Sequence, residues 1–243
     1  MDLSKFSMRI TPTHVYFWGG PFSQWHTSRF EAELPVYAPA TDDKPRRLLR
    51  SGVKLRFSSC EQYMMAAKAS VFGDTGKGSV LEKILGSAVL FGETDTKAPG
   101  YRAGTHDVKK IKVLGREVPG LKGGKWDADD IAFWDKVSVP AVTIGNLSKF
   151  TQSDEHYQVL MDMGDREFVE GAPNDDQWGV ALRWDDPNIE DPANWKGKNK
   201  LGNIVYVAAR IISELGREID PWKVLSTYNN VKTPEPSATS PAP

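Results

Sequence analysis

A chain of 243 residues has room for one large domain or two small ones, and 40% apolar with 26% charged residues is the make-up of a globular protein with a sizeable core. Its 31 Lys and Arg against 32 Asp and Glu exclude a global field that would draw it to nucleic acid or anionic lipid, so any polyanion contact must be local. One cysteine, Cys60, excludes an internal disulfide and fits a reducing compartment; with no apolar leader or membrane-length run, the expectation is an intracellular protein, cytoplasmic or nuclear, with no membrane partner.

In chain order, Val15-Tyr16-Phe17-Trp18 reads as a short strand closed by Gly19-Gly20-Pro21, and Phe22-Ser23-Gln24-Trp25 follows with aromatic and small polar side chains interleaved. Residues 31–57 carry a basic cluster, Lys44, Arg46, Arg47, Arg50, Lys54 and Arg56, on what reads as a long hairpin with Leu48-Leu49 and Val53-Leu55-Phe57 as apolar rungs. A solvated face is the ordinary reading of such charges; it is also the one place where a nucleic-acid backbone could be gripped.

Residues 58–72 predict a helix, with good helix formers inside and Gly73 as the stop. On one face lie Glu61, Met64, Met65, Lys68 and Phe72, so that an acid and an amine are about 10 Å apart on an otherwise apolar stripe. Two roles are open at Glu61. Ser58-x-x-Glu61 is a capping box, in which the carboxylate returns to its own helix end; alternatively Glu61 is a partly desolvated acid/base.

Further along, residues 79–91 predict a second helix, and 92–130 read as loops with short elements. Residues 133–150 have helical spacing interrupted at Pro140, where a kink or break is expected. A helix over 153–163 and a strand over 166–170 follow. Asn174-Asp175-Asp176-Gln177-Trp178-Gly179 is an acceptor-rich turn. The run from Trp195 to Gly202 is a Gly/Lys loop feeding an apolar helix, the arrangement that cradles phosphate at a helix N-terminus, although it lacks Walker A spacing. From Thr233 the tail is Pro/Ser-rich, which sets the expected division at a domain over 1–228 and a disordered segment over 229–243. The four histidines show no metal-ligand spacing, and no nucleotide-cofactor fingerprint is present, so neither metal nor cofactor is expected.

Four stretches together resemble the NADAR family: Phe17-Trp18 with Pro21 to Trp25; Ser59-Cys60-Glu61-Gln62-Tyr63 with Lys68; Trp134-Asp135 with Gly145 to Phe150; and Asn174-Asp175 with Trp178-Gly179, then Trp195, Gly197, Asn199, Leu201-Gly202 and Arg210. Gln24 stands where the family has Asn, Cys60 and Gln62 replace the commoner neighbours of the glutamate, and Trp126 competes with Trp134 for one family position. The resemblance implies an α+β fold, a predominantly helical single domain with a few short strands near 15–18, 48–57 and 166–170. It implies an N-glycosidase that cuts a bond between an anomeric carbon and an exocyclic nitrogen. The first choice of substrate is ADP-ribosylated guanine in nucleic acid or nucleotide, the second a phosphoribosylamino-pyrimidine intermediate of riboflavin synthesis. A non-catalytic ADP-ribose or NAD binding module is the third reading.

On that reading Glu61 and Lys68 are the catalytic candidates. Phe22, Ser23, Trp25, Trp134, Lys149, Asp175, Trp178, Lys198 and Asn199 are the substrate-binding candidates.

Overall fold

The structure, a computed structural model, describes residues 1–38, 47–86, 101–102 and 105–228. Its elements in chain order are β1 (Met8–Ile10), β2 (His14–Phe17), β3 (Phe30–Ala38), β4 (Arg47–Phe57), α1 (Cys60–Val71), α2 (Val80–Gly86), β5 (Tyr101–Arg102), β6 (Thr105–His106), α3 (Val108–Arg116), α4 (Ala128–Gln152), α5 (Asp154–Met161), β7 (Glu167–Glu170), α6 (Lys200–Leu215) and α7 (Pro221–Tyr228), with short 3-10 turns between them. The order β1-β2-β7 forms one small sheet, in which β2 runs antiparallel to β1 and parallel to β7; β3 and β4 form a separate hairpin. This is the expected α+β architecture, mostly helical with a few short strands.

Every residue of α1 but Lys68 is buried. No solvent face is left because α3, α4, α2 and the β3–β4 hairpin all pack on it. Two glycines permit the closest approaches. A Cβ at Gly115 of α3 would lie 1.9 Å from the Met65 sulfur, and one at Gly145 of α4 would lie 2.6 Å from the Tyr63 ring. The core around α1 holds Phe30, Phe57, Tyr63, Phe72, Ile84 and Ile144; a second core, between α4, α5, α6 and β7, holds Phe17, Phe22, Phe150, Phe168 and Ile211. Each such side chain contributes roughly 1.5–3 kcal/mol on full burial.

The strands and the helix over 58–72 lie where the sequence put them. Residues 92–130, read as loops with short elements, contain the nine-residue α3, whose Ile111, Leu114 and Gly115 face the core. Of the kink or break expected at Pro140, the break is corrected: α4 is continuous from Ala128 to Gln152 with Pro140 inside it. An interior proline costs about 3 kcal/mol, and burial of Val137, Ile144 and Leu147 on the same helix outweighs that. The end of the helix expected over 79–91, the hairpin tip with Lys44 and Arg46, and the tail from Thr233 lie outside the described residues. Among the described residues no helix is long and apolar enough to cross a membrane.

Candidate active site

The N-cap of α1 is Ser59, one residue later than the capping box expected from the sequence. Its hydroxyl accepts the Gln62 amide at 3.1 Å, and the Gln62 side-chain oxygen accepts the Ser58 amide at 2.9 Å. Gln62 therefore does the capping, and Glu61 is released from it. The Glu61 amide donates instead to the Gln24 carbonyl at 2.9 Å, which fastens the loop carrying Gln24 and Trp25 to the first turn of α1. The Glu61 side chain is only 2% exposed, and its Oε1 has no hydrogen-bond partner. A buried carboxylate oxygen without a donor is costly unless something else supplies the partner.

Burial pushes the Glu61 carboxyl up to about 7; Lys112 opposes this, Asp175 reinforces it, and the Trp25 indole and Arg116 favour the ionised form. Lys112 and Arg116 are one helical turn apart on α3, and Lys112 also lies over the Trp25 ring, its Nζ 5.3 Å from the centroid. Glu170, the last residue of β7, joins the cluster. Burial and the charges of Asp175 and Glu61 push its carboxyl up to about 8, and its Oε2 is enclosed without a partner. Gln24 is 5% exposed, and neither atom of its side-chain amide has a partner. Glu61, Glu170 and Gln24 thus leave buried polar atoms unmet in one neighbourhood.

Along α1, Lys68 donates to the Gly115 carbonyl at 2.9 Å, with its Nζ 4.3 Å from the Trp126 ring centroid and 5.8 Å from that of Trp134. Both tryptophans that compete for one sequence position therefore flank the same amine, Trp126 the closer. Trp126 also stacks on Phe72 at 4.4 Å and donates its indole N–H to the Val118 carbonyl. Burial and the charge of Arg116 lower the Lys68 amine to about 8, and Glu61 opposes the shift. Arg116 acts on both Glu61 and Lys68, so the acid, the amine and α3 form one electrostatic unit.

The other sequence candidates divide. Trp25, 40% exposed, lies at the carboxylate, and Ser23 steadies it by accepting the Trp25 amide at 3.2 Å. Asp175 closes its own turn, accepting the amides of Gln177 and Trp178, while its charge acts on Glu61 and Glu170. Trp178 is half-buried between the two cores. Phe22 is wholly within the second core, edge-on to Phe168 at 4.9 Å. Lys149 is fully buried, and its amine donates to the Ser23 carbonyl at 3.2 Å, beneath the loop rather than beside Glu61. Asn199 is committed to β7: its Oδ1 accepts the Glu170 amide at 3.0 Å, and its Nδ2 donates to the Phe168 carbonyl at 2.9 Å. Exposed Lys198 reaches Gln177.

The loop before α6 does not present a free phosphate cradle. Its amides at Lys196, Lys198, Asn199 and Leu201 donate to the carbonyls of Val180, Asp176, Gly179 and Trp178. The two loops meet so closely that a Cβ at Gly197 would be 2.2 Å from the Gly179 oxygen. Two of the hairpin's basic side chains are paired: Arg50 with Glu33 and Asp220, each at 2.9 Å, and Arg56 with Glu31 at 2.8 Å.

Two shallow concavities on the described surface, one lined by His14 and Arg166 and one by Leu48 and Trp222, lie elsewhere and hold no such cluster. No three described His, Cys, Asp or Glu side chains gather as metal ligands. Three members of the site were not singled out from the sequence. Lys112 and Arg116 carried a signal in their i, i+4 spacing opposite Ile111 and Leu114; Glu170 carried only its place at the end of a strand.

The NADAR domain model matches residues 16–211. The chain is 30% identical over 196 residues to N-glycosidase R617 of Acanthamoeba polyphaga mimivirus, covering 80% of this chain and 94% of that protein. It is 29% identical over 184 residues to protein irg-1 of Caenorhabditis elegans, covering 76% of this chain and 71% of that protein.

Proposed function

The chain belongs to the NADAR family, and from that premise we propose that it is an N-glycosidase whose acid/base is Glu61. The observation that carries the reading is the released Glu61 carboxylate, 2% exposed, with a partnerless oxygen and an indole at its side. A carboxyl held near neutrality can take a proton from an attacking water and stabilise positive charge at an anomeric carbon. The relative named an N-glycosidase, matched along nearly its whole length, supports the same class of reaction.

The proposed substrate is ADP-ribose joined to the guanine amino group. Trp25 offers a face for a base, and the amine of Lys68 between the Trp126 and Trp134 rings supports a place for the sugar and its phosphates further along α1. Lys68, with its amine lowered to about 8, serves as phosphate partner or as nucleophile toward an opened sugar. A second reading is hydrolysis of a phosphoribosylamino-pyrimidine, a small anionic N-glycoside; it rests on the same released Glu61 carboxylate.

Incubation with an ADP-ribosylated guanine nucleotide, the corresponding oligonucleotide and the pyrimidine N-glycoside separates these readings. Release of ADP-ribose from the nucleotide is the expected result, and release only from the pyrimidine substrate selects the second reading. Micromolar ADP-ribose binding with no hydrolysis of any of the three refutes the enzyme and leaves a binding module.

A further inference from the structure

Glu170 is held where it is by backbone geometry. It ends β7 opposite Phe17 in the parallel register with β2, its amide is fixed by Asn199, and its carbonyl accepts the amides of Ala172 and Val180. Alternation along the strand puts its side chain on the same face as Phe168, whose ring packs in the second core against Phe22. Phe22 begins the segment that runs through Gln24, whose carbonyl is fastened to the Glu61 amide. The strand end and the first turn of α1 are thus joined through one short loop.

At this junction the unmet polar atoms are Glu61 Oε1, Glu170 Oε2 and both ends of the Gln24 amide. Each is costly when left unsatisfied. The two carboxyls differ in their donors. Asp175 acts against both anions, but Glu61 has Lys112, the Trp25 indole and Arg116 in its favour, whereas Glu170 also has the charge of Glu61 against it and only Lys112 in its favour. Two acids whose surroundings separate them in this way divide into a base and an acid.

We propose that Glu170 is the general acid of the site and works opposite Glu61 as general base. The inference rests on the N-glycosidase reading. The bond from the anomeric carbon to the exocyclic nitrogen breaks as the Glu170 hydroxyl proton passes to that nitrogen, which departs as a free amine. Water adds its oxygen to the anomeric carbon and gives a proton to Glu61. The cycle closes when that proton returns to Glu170. The two carboxyls then carry one proton between them at the start and at the end, and the net reaction is hydrolysis.

The test uses the full chain and the N-glycosides named above. Glu170→Gln is expected to lower kcat by about 100-fold or more and to abolish the alkaline limb of the wild-type kcat profile. Glu170→Asp, which keeps a proton to donate, is expected to retain that limb at reduced kcat. Circular dichroism and thermal melting establish that each variant is folded. A Glu170→Gln enzyme within about threefold of wild-type kcat, or one that keeps the alkaline limb, overturns the proposal. A readout independent of turnover is the ¹³C carboxyl titration of Glu170. Glu61→Gln removes a negative charge beside it and is expected to lower its midpoint, with Asp175 and Lys112 unchanged; an unmoved midpoint overturns the pairing. Inactivity of the wild type on every N-glycoside refutes the functional reading itself, whereas an active wild type with an unaffected Glu170→Gln refutes only the acid.

Discussion

The amide of Glu61 donates to the carbonyl of Gln24 at 2.9 Å, so the acid and the loop that carries Trp25 over it are held by one backbone hydrogen bond. Displacing the loop would strip the carboxylate of its indole donor. Expected outcomes follow from this coupling and from the packing behind it.

Glu61→Gln keeps the shape of the side chain and removes the proposed base. Turnover of the N-glycoside substrate is expected to fall at least about 100-fold with the fold unchanged, because an amide is less costly than a carboxylate at a site 2% exposed. Steady-state kinetics beside a thermal melt checks this, and full activity in the variant removes Glu61 from the reaction.

Stability should fall as the pH rises through neutrality. Glu61 and Glu170 are raised from 4.5 to about 7 and about 8, so the folded chain keeps protons that the unfolded chain has already lost. Their contribution is complete below about pH 4.5 and disappears as the pH climbs through those two values. Urea melts at pH 6.5 and 8 should show the loss, and Glu61→Gln should show less of it.

Acid should unfold the chain from another place. His26 and His156 stack edge-on at 5.2 Å near buried Lys149. Burial, with the lysine's charge second, lowers them from 6.5 to about 4 and about 3. The unfolded chain binds those protons first, so the stability present above pH 6.5 drains away as the pH falls toward 3. His156→Phe keeps a ring and removes one titration; melts between pH 6.5 and 4 should be shallower than in wild type.

Gly115→Ala is expected to destabilise by about 1–3 kcal/mol through overpacking, because the new methyl would meet the Met65 sulfur at 1.9 Å. The same shift moves Lys112 and Arg116 away from Glu61 and the Gly115 carbonyl away from Lys68. Met65→Ala added to it should restore part of both stability and activity, measured as a double-mutant cycle.

Asn199 sits at φ 49° and bridges the amide of Glu170 and the carbonyl of Phe168. Asn199→Gly tolerates that backbone and loses only the two bonds, at about 1–3 kcal/mol for each buried group left unmet; Asn199→Ala adds the left-handed penalty of about 1 kcal/mol or more. Chemical denaturation of the pair separates the two effects.

Much of this architecture was legible in the residues. Helix-forming residues bounded by Gly73 marked α1, a β-prone run closed by Gly19-Gly20-Pro21 marked β2, and the apolar rungs Val53, Leu55 and Phe57 marked β4. The inward acid and amine of α1 were visible in their spacing, and Trp25 and Asp175 in the aromatic and acidic turns that flank them. Convergence was not visible. Lys112, Arg116 and Glu170 reach Glu61 only through the packing of α3 on α1 and of β7 on β2, contacts distant in sequence. Local chemistry misled at the turn before α6, where the amides that invite a phosphate are taken by the chain's own carbonyls. Lys149 and Phe22, side chains suited to a ligand, support the loop from below.

Because α1 is enclosed by its neighbours, the proposed acid is mounted on a helix with little room to move. New substrate preferences would therefore arise by exchanging what surrounds that post: the indole loop, the cationic edge of α3 and the turn at Asp175. The post itself would stay.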